Sequence, residues 1–253
     1  MTGHLIRMNS NMSLNYNEGS VAASQASAGV NNSAFWERLW RSSGIQFVAL
    51  TIVAYLIYGH QPQVGASPDT LVAFYHGDRI RILIAAFVSG MAVLNLMWFA
   101  AALKTTLADA RQDGWGAAAT ASSAAVGTLL LLLIAIVATL AYSSAGSQNP
   151  GLLSGLNDFA WAGFVISSFV RAMLVMAAAF GLWRAGLISN TMFTAGVAAV
   201  VLVLLGATTW ASGGLWAPDG AYSRFISPII TLLWVLVVSR VLLSRGSATR
   251  AGW

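Results

Sequence analysis

Apolar residues run along this chain in long unbroken blocks, not at alternate positions. Six blocks stand out, over about 44–58, 80–103, 117–142, 156–183, 191–212 and 226–243. A bilayer core of about 30 Å takes roughly 20 apolar residues in a helix. Each block but the first approaches or exceeds that length. A membrane barrel would alternate apolar and polar residues in stretches of about ten. The continuous run Leu129–Ile134 breaks that pattern and suits a helix. The pattern predicts an all-α, polytopic membrane protein with six transmembrane helices.

Local signals punctuate the blocks. Ser227-Pro228 reads as an N-cap followed by a proline at the first helical position, where its missing N–H costs nothing. Asn157 reads as a start signal for the fourth helix, and Pro150 with the 146–155 glycines as a loop. Trp36, Arg38, Trp40 and Arg41 suggest an amphipathic lead-in at the interface. Residues 1–34 are rich in Ser, Asn, Ala and Gly and read as a disordered cytoplasmic tail. The membrane domain then covers 35–245, and 246–253 form a second cytoplasmic tail. Small residues recur every fourth position at Ala117, Ala121 and Ala125, at Ala86 and Gly90, and at Ala195 and Ala199. Such spacing lets helix backbones approach closely in lipid.

Composition strengthens this picture. Only 8% of residues are charged and 57% are hydrophobic, whereas soluble domains carry about 25% charged residues. With no cysteine, disulfides, thiolate metal sites and cysteine nucleophiles are excluded. The net charge of +5 does not imply nucleic acid, because the basic residues sit singly at block ends. They set orientation instead. Arg7, Arg38, Arg41, Lys104, Arg111, Arg184, Arg240, Arg245 and Arg250 fall on one side, against Arg79, Arg81 and Arg224 on the other. That excess predicts N-in and C-in. Tyr55, Tyr58, Tyr142, Trp161, Trp210, Trp216 and Tyr222 would then form an outer belt, and Trp36, Trp40, Trp115 and Trp183 an inner one.

Arg171 is the anomaly. It falls midway along the fourth block, where an arginine costs at least about 2.5–3.5 kcal/mol on insertion scales. It must face the bundle, with Asn95, Ser167, Ser168 and Ser89 as candidate partners. Arg171 and Asn95 are therefore the candidate ligand-binding residues, suited to an anion; the alternative, favoured by the lack of any charged partner at that depth, is a structural arginine neutralised by backbone carbonyls or reaching to the inner face. A polar cluster at the outer mouth brings His60, Asp69, His76, Asp78 and Asp158 into view. Imidazole and carboxylate are ordinary metal ligands, which makes His60, His76, Asp78 and Asp158 candidates. Their spacing follows no two-histidine motif, and no metal is expected. Asp78 and Arg81 are spaced to pair on one helix. No Walker, Rossmann or Ser–His–Asp pattern occurs, so neither a cofactor nor a catalytic residue is expected.

The stretch Tyr75–Leu103 opens with Arg79-x-Arg81-Ile82-Leu83 and closes with Leu96-Met97-Trp98-Phe99-x-x-x-Leu103-Lys104. With the closing Leu232–Ser239, it resembles a family of uncharacterised bacterial multi-span membrane proteins, over residues 74–243. The resemblance implies a bacterial cytoplasmic membrane and no particular activity. Three functions are expected in turn. The first is a non-catalytic accessory or assembly subunit, partnered by other membrane proteins or by copies of itself. The second is a small-solute transporter or channel using Arg171. The third is an outer-face enzyme or metal site.

Overall fold

The computed structural model describes residues 39–143 and 150–248. The chain divides into two units, 1–40 and 41–253, and the helices below belong to the second. The tail over 1–34, the lead-in at Trp36 and the end of the C-terminal tail lie outside the described residues.

Every described regular element is helical. The α-helices are α1 (Ser43–Tyr58), α2 (Pro68–Gly77), α3 (Arg79–Asp109), α4 (Asp113–Ser143), α5 (Pro150–Arg184), α6 (Asn190–Leu205) and α7 (Ser227–Ala248). Five stretches, 79–109, 113–143, 151–184, 190–208 and 222–244, are long and apolar enough to cross a membrane. Their outward surfaces are apolar too: Phe87 is 71% exposed and Leu94 55%. Water would not tolerate such a surface, whereas lipid does. These features are consistent with a multi-pass membrane protein. Helix α1 is apolar but has only 16 residues, about 24 Å at 1.5 Å per residue.

The long helices alternate in direction. One end of the bundle carries the α3–α4 and α5–α6 turns. Two chain reversals there share one hydrogen-bond pattern. Gly186 and Leu187 donate to Trp183 and Leu182 at 2.9 and 2.8 Å, and Arg111 and Gln112 to Ala108 and Leu107 at 2.8 Å each. Both are Schellman closures, which need a left-handed residue. Gly186 supplies it freely, whereas Arg111 adopts φ 59° with a side chain attached. Arg111→Gly should therefore raise stability by up to about 1 kcal/mol, since the left-handed conformation costs roughly 1–2 kcal/mol outside glycine. Thermal unfolding in detergent checks this.

At the opposite end, the strap end, the structure departs from the sequence reading. Residues 68–77 form an unexpected helix, α2, capped by Ser67, whose Oγ accepts from the Thr70 N–H. Leu71 and Tyr75, one turn apart and fully buried, pack against Ile82, Ile136, Leu140 and Leu153. Helix α5 begins at Pro150, not near Leu156, so Gly151–Gly155 is helical. Helix α6 ends at Leu205 and tightens into a 3-10 turn to Thr208, short of the expected 212. Ser227 is not an N-cap. A π turn over Tyr222–Ile226 runs straight into α7, with Ser227 in helical geometry (φ −61°, ψ −46°). The wider turn gives room to Pro228, whose ring would clash with the carbonyl four residues back.

The small-residue faces are also rotated from expectation. Ala117 and Ala121 are exposed, and the buried face of α4 carries Gly116, Ala119, Ser123 and Gly127. On α6 the close approach belongs to Gly196, under Trp234 and Ala179; of the expected pair Ala199 is buried and Ala195 is exposed.

Candidate functional site

The strap end is held together by the first turns of α5. Asn157 Nδ2 donates to the Gln63 carbonyl at 3.1 Å, and its Oδ1 accepts from the Tyr75 hydroxyl at 3.0 Å. Asp158 Oδ1 accepts from the Gly65 N–H at 3.0 Å. Trp161 Nε1 donates to the Pro62 carbonyl at 2.9 Å. Residues 157, 158 and 161 share one side of a helix. They bind the 59–67 loop as a strap. Asn157 thus acts well inside α5, not as its start signal.

Arg224, in the π turn, reaches the same loop. Its Nη1 lies 3.1 Å from His60 Nε2, and its Nη2 donates to the Gln61 carbonyl at 3.5 Å. The guanidinium sits over the rings of Trp161 and Phe225, 5.5 and 5.7 Å from their centroids. It is half-buried, and no carboxylate pairs with it among the described residues.

Beneath Arg224 lies a cavity of about 550 Å³. It is ringed by α1, α3, α4, α5 and the start of α7, and its walls are almost wholly apolar. Phe47, Ala86, Leu133, Phe164 and Ile229 represent the five sides. Thr51 and Ser89 are polar exceptions, and Thr51 spends its hydroxyl on the Phe47 carbonyl. The polar rim is Arg224, Gln61, Tyr55 and Tyr58. Ile52, Tyr55, Phe225 and Ile229 line the cavity and are themselves exposed. These four residues lie on α1, in the π turn and at the start of α7. On α1 alone the lining runs from Phe47 to Tyr58, about 16 Å at 1.5 Å per residue.

The residues singled out in the sequence have separate fates. Arg171 is 5% exposed, with Nη2 donating to Ser168 Oγ at 2.8 Å. Asn95 instead donates to the Met91 carbonyl of its own helix at 3.0 Å. Ser167 bonds the Phe164 carbonyl, and Ser89 lines the cavity. Of Arg171's expected side-chain partners only Ser168 meets it, and the expected backbone carbonyl is that of Phe164, 3.5 Å from Nη2. Asp78 pairs with Arg81 at 2.5 Å, as the spacing predicts. His60 faces Arg224, and Asp158 is committed to the strap. His76 lies in a shallow surface pocket with Asp78, Arg79 and Arg81. Among the described residues no three His, Cys, Asp or Glu side chains cluster for a metal.

Sequence reasoning missed Arg224 and Gln61 as a site. In the sequence Arg224 counts only as a vote on orientation. The available signal was a lone arginine just before Ser-Pro at a helix start, on the same side of the membrane as an interfacial tryptophan. No family model, curated protein or solved structure matches the chain, so its functional reading rests on this geometry alone.

Proposed function

We propose that this chain is a six-span protein of the bacterial cytoplasmic membrane, with both ends inside, that holds an anionic amphiphile in the strap-end cavity. It has no catalytic step of its own. The arginine bias supports the orientation and makes the strap end the outer face. Helix α1 is short for a span, a mismatch that local thinning of the bilayer accommodates at modest cost.

The cavity is the observation that carries the reading. Protein interiors are packed to crystal-like density. This cavity is open on one side and its walls are almost wholly apolar, so an apolar chain entering from the bilayer fills it more favourably than water does. The volume suits a ligand pocket, which typically holds about 300–1,000 Å³. At the rim, a half-buried guanidinium with no carboxylate partner among the described residues favours an anionic head, phosphate or carboxylate. Arginine engages either through its planar fork.

Lipid analysis of the purified protein tests this. Wild type should retain an anionic lipid through washing, and Arg224→Gln should weaken retention about tenfold, the worth of one charge-assisted hydrogen bond. Ala86→Trp, which fills the cavity, should abolish it. Equal lipid in all three proteins would remove the proposal.

A second reading, an accessory subunit packing against membrane partners or copies of itself, draws on the outward turn of Ala117 and Ala121. An exposed small-residue face lets another helix approach closely. The mass of the complex in mild detergent tests it, and a lone monomer would count against it.

A further inference from the structure

The contact between Arg224 and His60 fixes the charge of the histidine. Arg224 Nη1 lies 3.1 Å from His60 Nε2. A guanidinium has donors and no acceptor. Arg224 therefore donates to a bare Nε2, and the imidazole is neutral, with its proton on Nδ1. A second proton on His60 would set two N–H groups of two cations against each other. The hydrogen bond does not survive that change.

Its place on the strap gives this contact a consequence. His60 is exposed and Arg224 half-buried. His60 stands between Gly59 and Gln61, which line the cavity together with Arg224. Neutral His60 occupies one guanidinium nitrogen, and the Gln61 carbonyl accepts from the other, Nη2, at 3.5 Å. Residues 59–67 hold no other ionisable side chain. From α3, Arg81 reaches to 3.3 Å from where a Gly59 Cβ would be, but it is paired with Asp78. Arg79 turns to the Tyr142 ring, and Asp158 on α5 accepts from the Gly65 N–H. Asp69 and His76 on α2 and Asp219 before the π turn, with the neutral phenols of Tyr55, Tyr58 and Tyr75, complete the ionisable groups around the loop. Among the described residues no carboxylate pairs with His60.

We infer that His60 regulates the head site: neutral, it occupies Arg224, and protonated, it releases the guanidinium and joins it in holding the anionic head, so binding tightens as pH falls. This rests on the amphiphile reading of the cavity. Histidine ordinarily changes charge between about pH 5 and 8. A bound anion favours the imidazolium, and by linkage the imidazolium favours the anion equally. One added cation a few ångströms from the head, in solvent, is worth about fivefold in affinity. The head that gains is a phosphate diester, whose two free oxygens bridge imidazolium and guanidinium. A zwitterionic head brings its own cation and gains little.

Binding of tail-labelled phosphatidylglycerol to the full-length protein in nonionic detergent, at about pH 8 and about pH 5, tests this. The lipid's phosphodiester keeps its single charge across that range, so a change in affinity belongs to the protein. Wild type should bind about fivefold tighter at the lower pH. His60→Gln retains an acceptor for Arg224 but has no proton to gain, so it should bind at both pH values as wild type does at the higher one. His60→Lys, charged throughout, should match wild type at the lower one. His76→Gln should keep the wild-type dependence. A wild type indifferent to pH, or a His60→Gln variant that follows the wild-type dependence, would overturn the inference and leave the amphiphile reading standing. Absence of binding at both pH values would overturn the two together.

Discussion

Gly44→Val is expected to eliminate the folded protein, seen as loss of the monodisperse peak in fluorescence-detected size exclusion. Gly44 lies in the first turn of α1, where three helices meet. A Cβ there would fall 2.1 Å from Ser239 Oγ on α7 and 2.6 Å from Phe99 Cδ2 on α3. Neither neighbour can retreat. Ser239 and Phe99 are both fully buried, and the Ser239 hydroxyl is committed to the Val235 carbonyl at 2.7 Å. Nearby, Arg41 Nη1 donates to the Leu242 carbonyl at 3.2 Å, fastening α1 to α7. Overpacking by a methyl or two ordinarily costs about 1–3 kcal/mol. Here valine must push α1 away from two partners at once, so about 4 kcal/mol or more is expected. Gly90→Val is the control. Nothing lies within 4 Å of a Cβ at Gly90, so the same substitution should be nearly silent. Gly44→Ala should be intermediate, and adding Ser239→Ala should recover part of its loss, because the two positions collide.

That close approach is not legible in the sequence, and the reason is general to this chain. The helices themselves are plain, because lipid demands long apolar runs and these are visible without knowing which face packs. In a soluble helix the apolar stripe marks the core. In lipid both faces are apolar, so the sequence does not separate the buried side of α4 from the outward one. Its four-residue spacing points to the alanines at 117 and 121, whereas Gly116, Ala119 and Gly127 are the residues that face the bundle. Helix α2 is hidden for a different reason. With only ten residues, it offers Leu71 and Tyr75 as its buried anchors amid His, Asp and Gly. Its local signal, Ser67-Pro68-Asp69, is followed by only five apolar residues, Leu71–Tyr75, far short of a span. The π turn before α7 follows from Pro228 only once the chain is seen to be helical on both sides of it.

The functional residues divide in the same way. Arg171 is conspicuous, because a charge inside an apolar block has a cost that can be read from one residue. Its surroundings are not, since the sequence offers Asn95, Ser89 and Ser167 as readily as Ser168, the side chain that it bonds. Arg224 is inconspicuous, because an arginine at a helix end is ordinary. Its importance comes from the cavity beneath it, a property of five helices together.

Asn157→Leu is expected to release the strap, at a cost of about 2–5 kcal/mol. The substitution preserves bulk but leaves the Tyr75 hydroxyl and the Gln63 carbonyl without their partner at once. Each stranded polar group costs about 1–3 kcal/mol. The loss should be local: hydrogen exchange should rise across residues 59–78 and stay low in α6. Tyr75→Phe should cost less, about 1 kcal/mol, because the Gln63 bond survives it. It should also remove a pH dependence. Burial pushes the Tyr75 phenol up to about 12 from its ordinary 10.0. Between those values the folded strap keeps a proton that the released one gives up, so the strap loosens as pH rises from about 10 to about 12 and is intact below that interval. Exchange in 59–78 should therefore climb, beyond its intrinsic base catalysis, over that interval in wild type but not in Tyr75→Phe. Because Gly59 and Gln61 line the cavity rim, a released strap should also shed the bound amphiphile. Lipid retention should then fall in Asn157→Leu even though Arg224 and every apolar wall residue are unchanged. Retention at the wild-type level, with the strap demonstrably open, would mean that the apolar walls alone hold the ligand.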